Sequence, residues 1–101
     1  MTTKLPVQRD TDMEKLTNLI FEACAAYYDG DEVRVIGEVV SSNLRPIQDY
    51  RDVQVSVYDK DGDILGRDYI NWSEFGIRQS FEIKVEKLPG VPDKVKVFPS
   101  K

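Results

Sequence analysis

Asp59, Asp61 and Asp63, grouped around Gly62, are the residues best placed to do chemistry, because carboxylates on a tight turn can converge on a calcium ion. Their spacing departs from an EF-hand loop, which wants glycine sixth and a bidentate glutamate twelfth; here Gly62 is fourth and Ile70 twelfth. Asp61-Gly62 also reads as an ordinary hairpin turn. Calcium binding or calcium stabilisation through the acidic turns, with Asp59, Asp61 and Asp63 as ligands, is therefore the alternative to a plain polar turn. A second chemistry open to carboxylates is acid–base hydrolysis of the glycosidase kind, yet no particular pair stands out among eighteen acids. Tyr69, Trp72 and Phe75 form a short aromatic run that could grip a partner at the rim of a domain. For Trp72 a place as a plug of the core is the favoured reading, as large aromatic bodies are usually buried.

Other chemistries are closed by residue type. The chain has no histidine, which removes Ser-His-Asp and Cys-His nucleophiles and every His-bearing metal site. It has one cysteine, Cys24, so neither an intramolecular disulfide nor a CxxC motif exists. Flanked by Ala23, Ala25 and Ala26, Cys24 reads as a packed thiol without a neighbouring base. Net charge is −4, which disfavours binding to phosphate backbones and so nucleic acid as a partner. Charge is uneven along the chain: residues 29–63 hold nine acids and four bases, and residues 84–101 hold five lysines and two acids. Such polarity can steer a partner or stack one copy on another.

The elements that must position these residues follow from periodicity. Val33, Val35, Gly37 and Val39 alternate with other residues, and Val53, Val55 and Val57 do the same. So do Phe81, Ile83 and Val85, and then Val95 and Val97. Period two with β-branched or aromatic residues on one face marks half-buried strands. Asp29-Gly30 and Asp61-Gly62 punctuate them as tight turns, and Asn43–Pro46 and Lys87–Asp93 as looser links. The stretch 13–28 is open to two readings. Met13, Leu16, Ile20, Ala23, Cys24 and Tyr27 fit a helix, with Thr11 and Glu14 as a capping box. A strand instead places Leu19, Phe21, Ala23, Ala25 and Tyr27 on one face and runs straight into the Asp29-Gly30 turn, which favours the strand. Residues 1–12 are polar, contain Pro6 and lack periodicity, so they read as a disordered or loosely attached arm. The expectation is one all-β domain over 13–101, an antiparallel sandwich of six or seven strands.

Gly37-Glu38-Val39-Val40-Ser41, a link containing Pro46, and Val55-Ser56-Val57-Tyr58-Asp59-Lys60-Asp61-Gly62 resemble the pattern of FxLYD domains. Tyr27-Tyr28-Asp29-Gly30 is similar to that family's entry hairpin, and Phe81–Val85 with Val95–Val97 to its last two strands. Val55 and Val57 stand where the family has Phe and Leu, and Ser41 where it has Asn. The resemblance spans roughly residues 19–98. It implies an Ig-like or fibronectin-type sandwich with no catalytic residue; apart from calcium at the acidic turns, no cofactor is expected.

The functional expectation is therefore a noncatalytic interaction or accessory module, not an enzyme, that binds a protein partner or itself. Tyr69, Trp72 and Phe75 are its candidate contact residues. No run approaches the roughly 20 apolar residues of a membrane span. Met1–Asp10 lacks the basic start and apolar stretch of a signal peptide. As written the chain reads as cytoplasmic, and as exported if it is a processed fragment.

Overall fold

The alternating valines have only one way to leave water together, which is to face one another across two sheets. The computed structural model, which describes residues 2–101, has that arrangement. The first sheet runs in the order β1 (Thr3–Leu5), β3 (Leu19–Tyr28), β4 (Val33–Ser41), β7 (Arg78–Val85). The second runs β2 (Val7–Arg9), β8 (Lys94–Ser100), β5 (Arg51–Tyr58), β6 (Ile64–Trp72). The protein is an all-β sandwich. Val33, Val35, Val39, Phe81, Ile83 and Val85 from one sheet and Val53, Val55, Val57, Val95 and Val97 from the other form a single buried cluster. Gly30 and Gly62 close their hairpins at φ 98° and 85°, left-handed angles that glycine adopts without strain.

Among the described residues eight strands replace the expected six or seven, because in the segment expected to be a loose arm, 1–12, residues 3–5 and 7–9 form two strands and the helix begins at Thr11; Met1 lies outside the described residues. β1 pairs antiparallel with β3, and β2 pairs parallel with β8. Pro6, which has no N–H to give a ladder, sits at the switch between sheets, and its carbonyl accepts the Val95 amide at 3.0 Å. Leu5 is buried and anchors the strap. Two three-residue strands are too short to show a period, which is why the sequence reads there as unstructured.

The stretch 13–28 divides between both readings. Helix α1 spans Thr11–Thr17, and β3 begins at Leu19. Asp10, not Thr11, caps the helix, its carboxylate accepting the Met13 amide at 3.1 Å. Asn18, left-handed at φ 59°, ends it. Glu14 turns inward instead of completing a capping box: Oε1 accepts the Phe21 amide at 3.0 Å and also pairs with Arg9. Beyond the three rungs of β1, the helix thus covers an edge of β3 that would otherwise be bare. The buried Arg51 ties the helix end to β5 by donating to the Thr17 carbonyl at 3.0 Å.

β3 also carries a bulge between Phe21 and Ala23. One extra residue reverses every later side chain. Leu19 and Phe21 face the core as expected, but beyond the bulge the inward set is Cys24, Ala26 and Tyr28. Ala23, Ala25 and Tyr27 therefore face outward, a correction to the single face expected of them.

Gly37 lies beside this bulge. A Cβ there would come within 2.5 Å of the Ala23 carbonyl oxygen and 2.8 Å of Phe81 Cζ. Gly37→Ala is accordingly expected to destabilise the fold by about 1–3 kcal/mol in urea unfolding, the usual range for overpacking. Gly66→Ala is expected to cost less, since its nearest obstacle, at 2.7 Å, is a side-chain methyl of Val85 and not a backbone atom. The opposite ranking would contradict this account of the bulge.

Candidate functional site

The two acidic hairpins lie at one end of the sandwich. Asp59 directs its carboxylate into its own turn, where Oδ1 accepts the amides of Asp61 and Asp63, both at 2.9 Å. The Asp59 amide donates to the Asp63 carbonyl at 3.0 Å, closing the hairpin from the other side. The geometry is that of a side-chain-bonded turn, as polar hairpins often show. Among the described residues, no group of three or more Asp, Glu, His or Cys side chains is gathered as a metal would need.

Asp29 does the same in the β3–β4 turn, accepting the Glu32 amide at 2.8 Å and the Asp31 amide at 2.9 Å. These bonds, Glu32's foremost, hold its carboxyl below the usual aspartate range. Because the charged form makes the bonds, their support is complete above the ordinary value of about 3.9 and fades as pH falls through Asp29's lower native value.

The aromatic run is split by the structure. Phe75, expected to contact a partner, is fully buried and is itself the core plug. Gly76, left-handed at φ 81°, pairs with Ile47, and Gln79 Nε2 donates to the Phe75 carbonyl at 2.7 Å. Together they turn the Phe75 ring inward. Trp72 is half-buried and packs edge-on against Phe75, with centroids 5.5 Å apart. Tyr69 stands 58% exposed on the outer face of the second sheet.

Register shows what surrounds Tyr69. Gln54 on β5 lies opposite Tyr69 on β6 and Phe98 on β8, giving a row of two rings with an amide between them. One row along, Ser56 lies between Arg67 and Lys96, and in the other direction Asp52 lies between Asn71 and Ser100. Asp52 and Ser56 are buried although they face outward, on a strand flanked by β8 and β6. Tyr50 Oη donates to Asp52 Oδ2 at 2.8 Å and Gln54 Nε2 to Oδ1 at 3.3 Å. The hydrogen bond to Asp52 raises the Tyr50 hydroxyl above its ordinary value.

The cations on this face rest on rings: Lys94 Nζ lies 5.5 Å from the Tyr58 centroid and Lys96 Nζ 6.0 Å from that of Phe98. Among the described residues, neither Arg67 nor Lys94 has a carboxylate at ion-pair distance, and Lys96 reaches only Asp10, at 4.0 Å. Sequence patterning missed Phe98, Gln54 and Asp52 as neighbours of Tyr69, because cross-strand rows depend on a register that no local signal encodes.

Carboxylates from both sheets line the side of the sandwich where β6 and β7 are edge strands. The depression there, about 690 Å³, is open and is lined by three carboxylates, Asp68, Glu82 and Glu86, and by three cations, Arg67, Lys84 and Lys87, of which only Lys84 and Glu82 lie at ion-pair distance, 4.0 Å. Asp68 Oδ1 is engaged by the Tyr69 amide at 2.8 Å. Cys24 is half-buried, and burial pushes its thiol up to about 11 against a smaller opposing pull from Arg9. It is a neutral thiol at physiological pH. No described helix is long and apolar enough to cross a membrane.

No protein-family model matches the chain, and no curated protein matches it. Among solved structures, a "putative beta-galactosidase" from Bacteroides fragilis is similar at 10% identity and a TM-score of 0.40. The similarity covers 81% of this chain and 15% of that one, so the chain spans a small part of its length.

Three outcomes follow from these placements. Native Cys24 is expected to resist a thiol-reactive dye at pH 7 to 8 and to react at once in denaturant; equal rates would contradict its burial. Asp29→Ala should lower stability near neutral pH and match the wild type in strong acid, and a constant gap across pH would refute the turn's role. Millimolar calcium is expected to leave the melting midpoint unchanged; a rise lost on Asp59→Ala would reinstate the turn as a metal site.

Proposed function

We propose that the protein is a noncatalytic recognition module that docks a protein partner on the outer face of its second sheet, around Tyr69. The observation that carries this reading is the exposed Tyr69 ring, set in line with Phe98 across Gln54 and beside cations that lack carboxylate partners. Tyr and Arg dominate the binding energy of protein interfaces, because they bury large areas and keep polar ends to pair. The Tyr50–Asp52–Gln54 network is held by its own hydrogen bonds, so docking would order few side chains, and preorganisation of this kind lowers the cost of association. Arg67 and Lys94 favour a partner surface rich in carboxylates. The resemblance to FxLYD domains, a family that implies no catalytic residues, supports the same class of function.

The test is capture from native extract by the immobilised full chain, followed by affinity measurement on the captured partner. Tyr69→Ala should weaken binding at least about tenfold, as loss of a central aromatic anchor does. Arg67→Glu should weaken it further as salt is lowered, with melting temperatures unchanged in both variants. A partner bound equally well by wild type and Tyr69→Ala would place its site elsewhere.

A further inference from the structure

The opposite face of the sandwich carries a different pattern. Antiparallel sheets commonly turn a polar face to water, yet Ile36, midway along the interior strand β4, is 42% exposed. Ala25 lies beside it on β3 and Glu82 on β7. Ala23 lies beside Glu38, and Tyr27 beside Arg34. The alanines, turned outward by the bulge, leave a shallow depression of about 500 Å³ that Ile36 and Tyr27 border.

Along β4 the outward residues read Arg34, Ile36, Glu38: a cation and an anion two residues to either side of an exposed apolar centre. Such an order is complementary to its own reverse. If a two-fold axis crosses β4 at Ile36, parallel to the sheet, Ile36 meets Ile36 and each Arg34 meets the Glu38 of the other copy. On β3 the same operation sets the Tyr27 ring over Ala23, large against small. Existing partners would yield readily. Arg34, itself half-exposed, lies 3.7 Å from both Glu32 and Glu82, and Glu38 accepts from Ser80 Oγ at 3.4 Å, all long contacts. Glu82, which the axis brings toward its counterpart, keeps Lys84 of its own chain at 4.0 Å.

We infer that a second copy of this chain docks on the outer face of the first sheet, as an isologous dimer centred on Ile36 and flanked by two reciprocal Arg34–Glu38 pairs. This face lies on the other side of the molecule from Tyr69, so the inference stands independently of the partner-binding reading.

Sedimentation velocity of the full chain, from micromolar to roughly 1 mM, reads the dimer directly. The wild type should show a concentration-dependent monomer–dimer equilibrium. R34E and E38R should each weaken association roughly tenfold or more, because like charges then face each other twice. An equimolar mixture of R34E and E38R should associate again, since each offers the other opposite charges at both positions, and that recovery also shows both variants folded. A wild type that stays monomeric throughout, as it would if a different protein used this face, overturns the dimer. So does an R34E chain that associates like the wild type, or a mixture no stronger than its components.

Discussion

The structure depends on burying two valine-rich inner faces against each other. Val53, Val55 and Val57 on β5 and Val33, Val35 and Val39 on β4 are essentially inaccessible to water. Each occupies an interior position of its sheet, with a strand on either side. Burial of a valine-sized side chain contributes roughly 1.5–3 kcal/mol against the entropy of ordering the chain. Once these strands are committed to face inward, period two fixes every alternate residue outward, so the two exterior surfaces follow from the core.

The parts legible in the sequence are those where local chemistry and this burial agree. The four alternating runs, the Asp29-Gly30 and Asp61-Gly62 turns and the all-β sandwich can all be read from residue type and spacing. What escapes reading arises where one residue changes the outcome. The bulge after Phe21 reverses the face of half a strand without any glycine or proline to mark it. Pro6 sends the seven residues Thr3–Arg9 across both sheets, and each strand of the strap is too short to show a period. Asp10 outcompetes Thr11 as the cap, which frees Glu14 to hold the Phe21 amide. In the aromatic run, composition identifies a plug but not which ring; the left-handed turn at Gly76 selects Phe75 and leaves Tyr69 outside.

The two exterior faces share one scaffold and differ in how their charges are satisfied. On the first sheet, Arg34, Lys84 and Arg78 all pair with carboxylates of the same face or its margin. On the second, cations rest on aromatic rings, and the carboxylate nearest the centre, Asp52, is occupied by Tyr50 and Gln54. A face whose charges already balance gains little from a charged visitor unless that visitor brings the same charges in reverse order. A face with unmatched cations and fixed hydrogen bonds gains from any surface that supplies carboxylates. The bulge connects the two, because by turning Ala23 and Ala25 outward it opens space beside Ile36 on one side while leaving the core register beneath Tyr69 undisturbed. A single extra residue in β3 therefore reshapes the outer face of the first sheet while the second sheet keeps its own register.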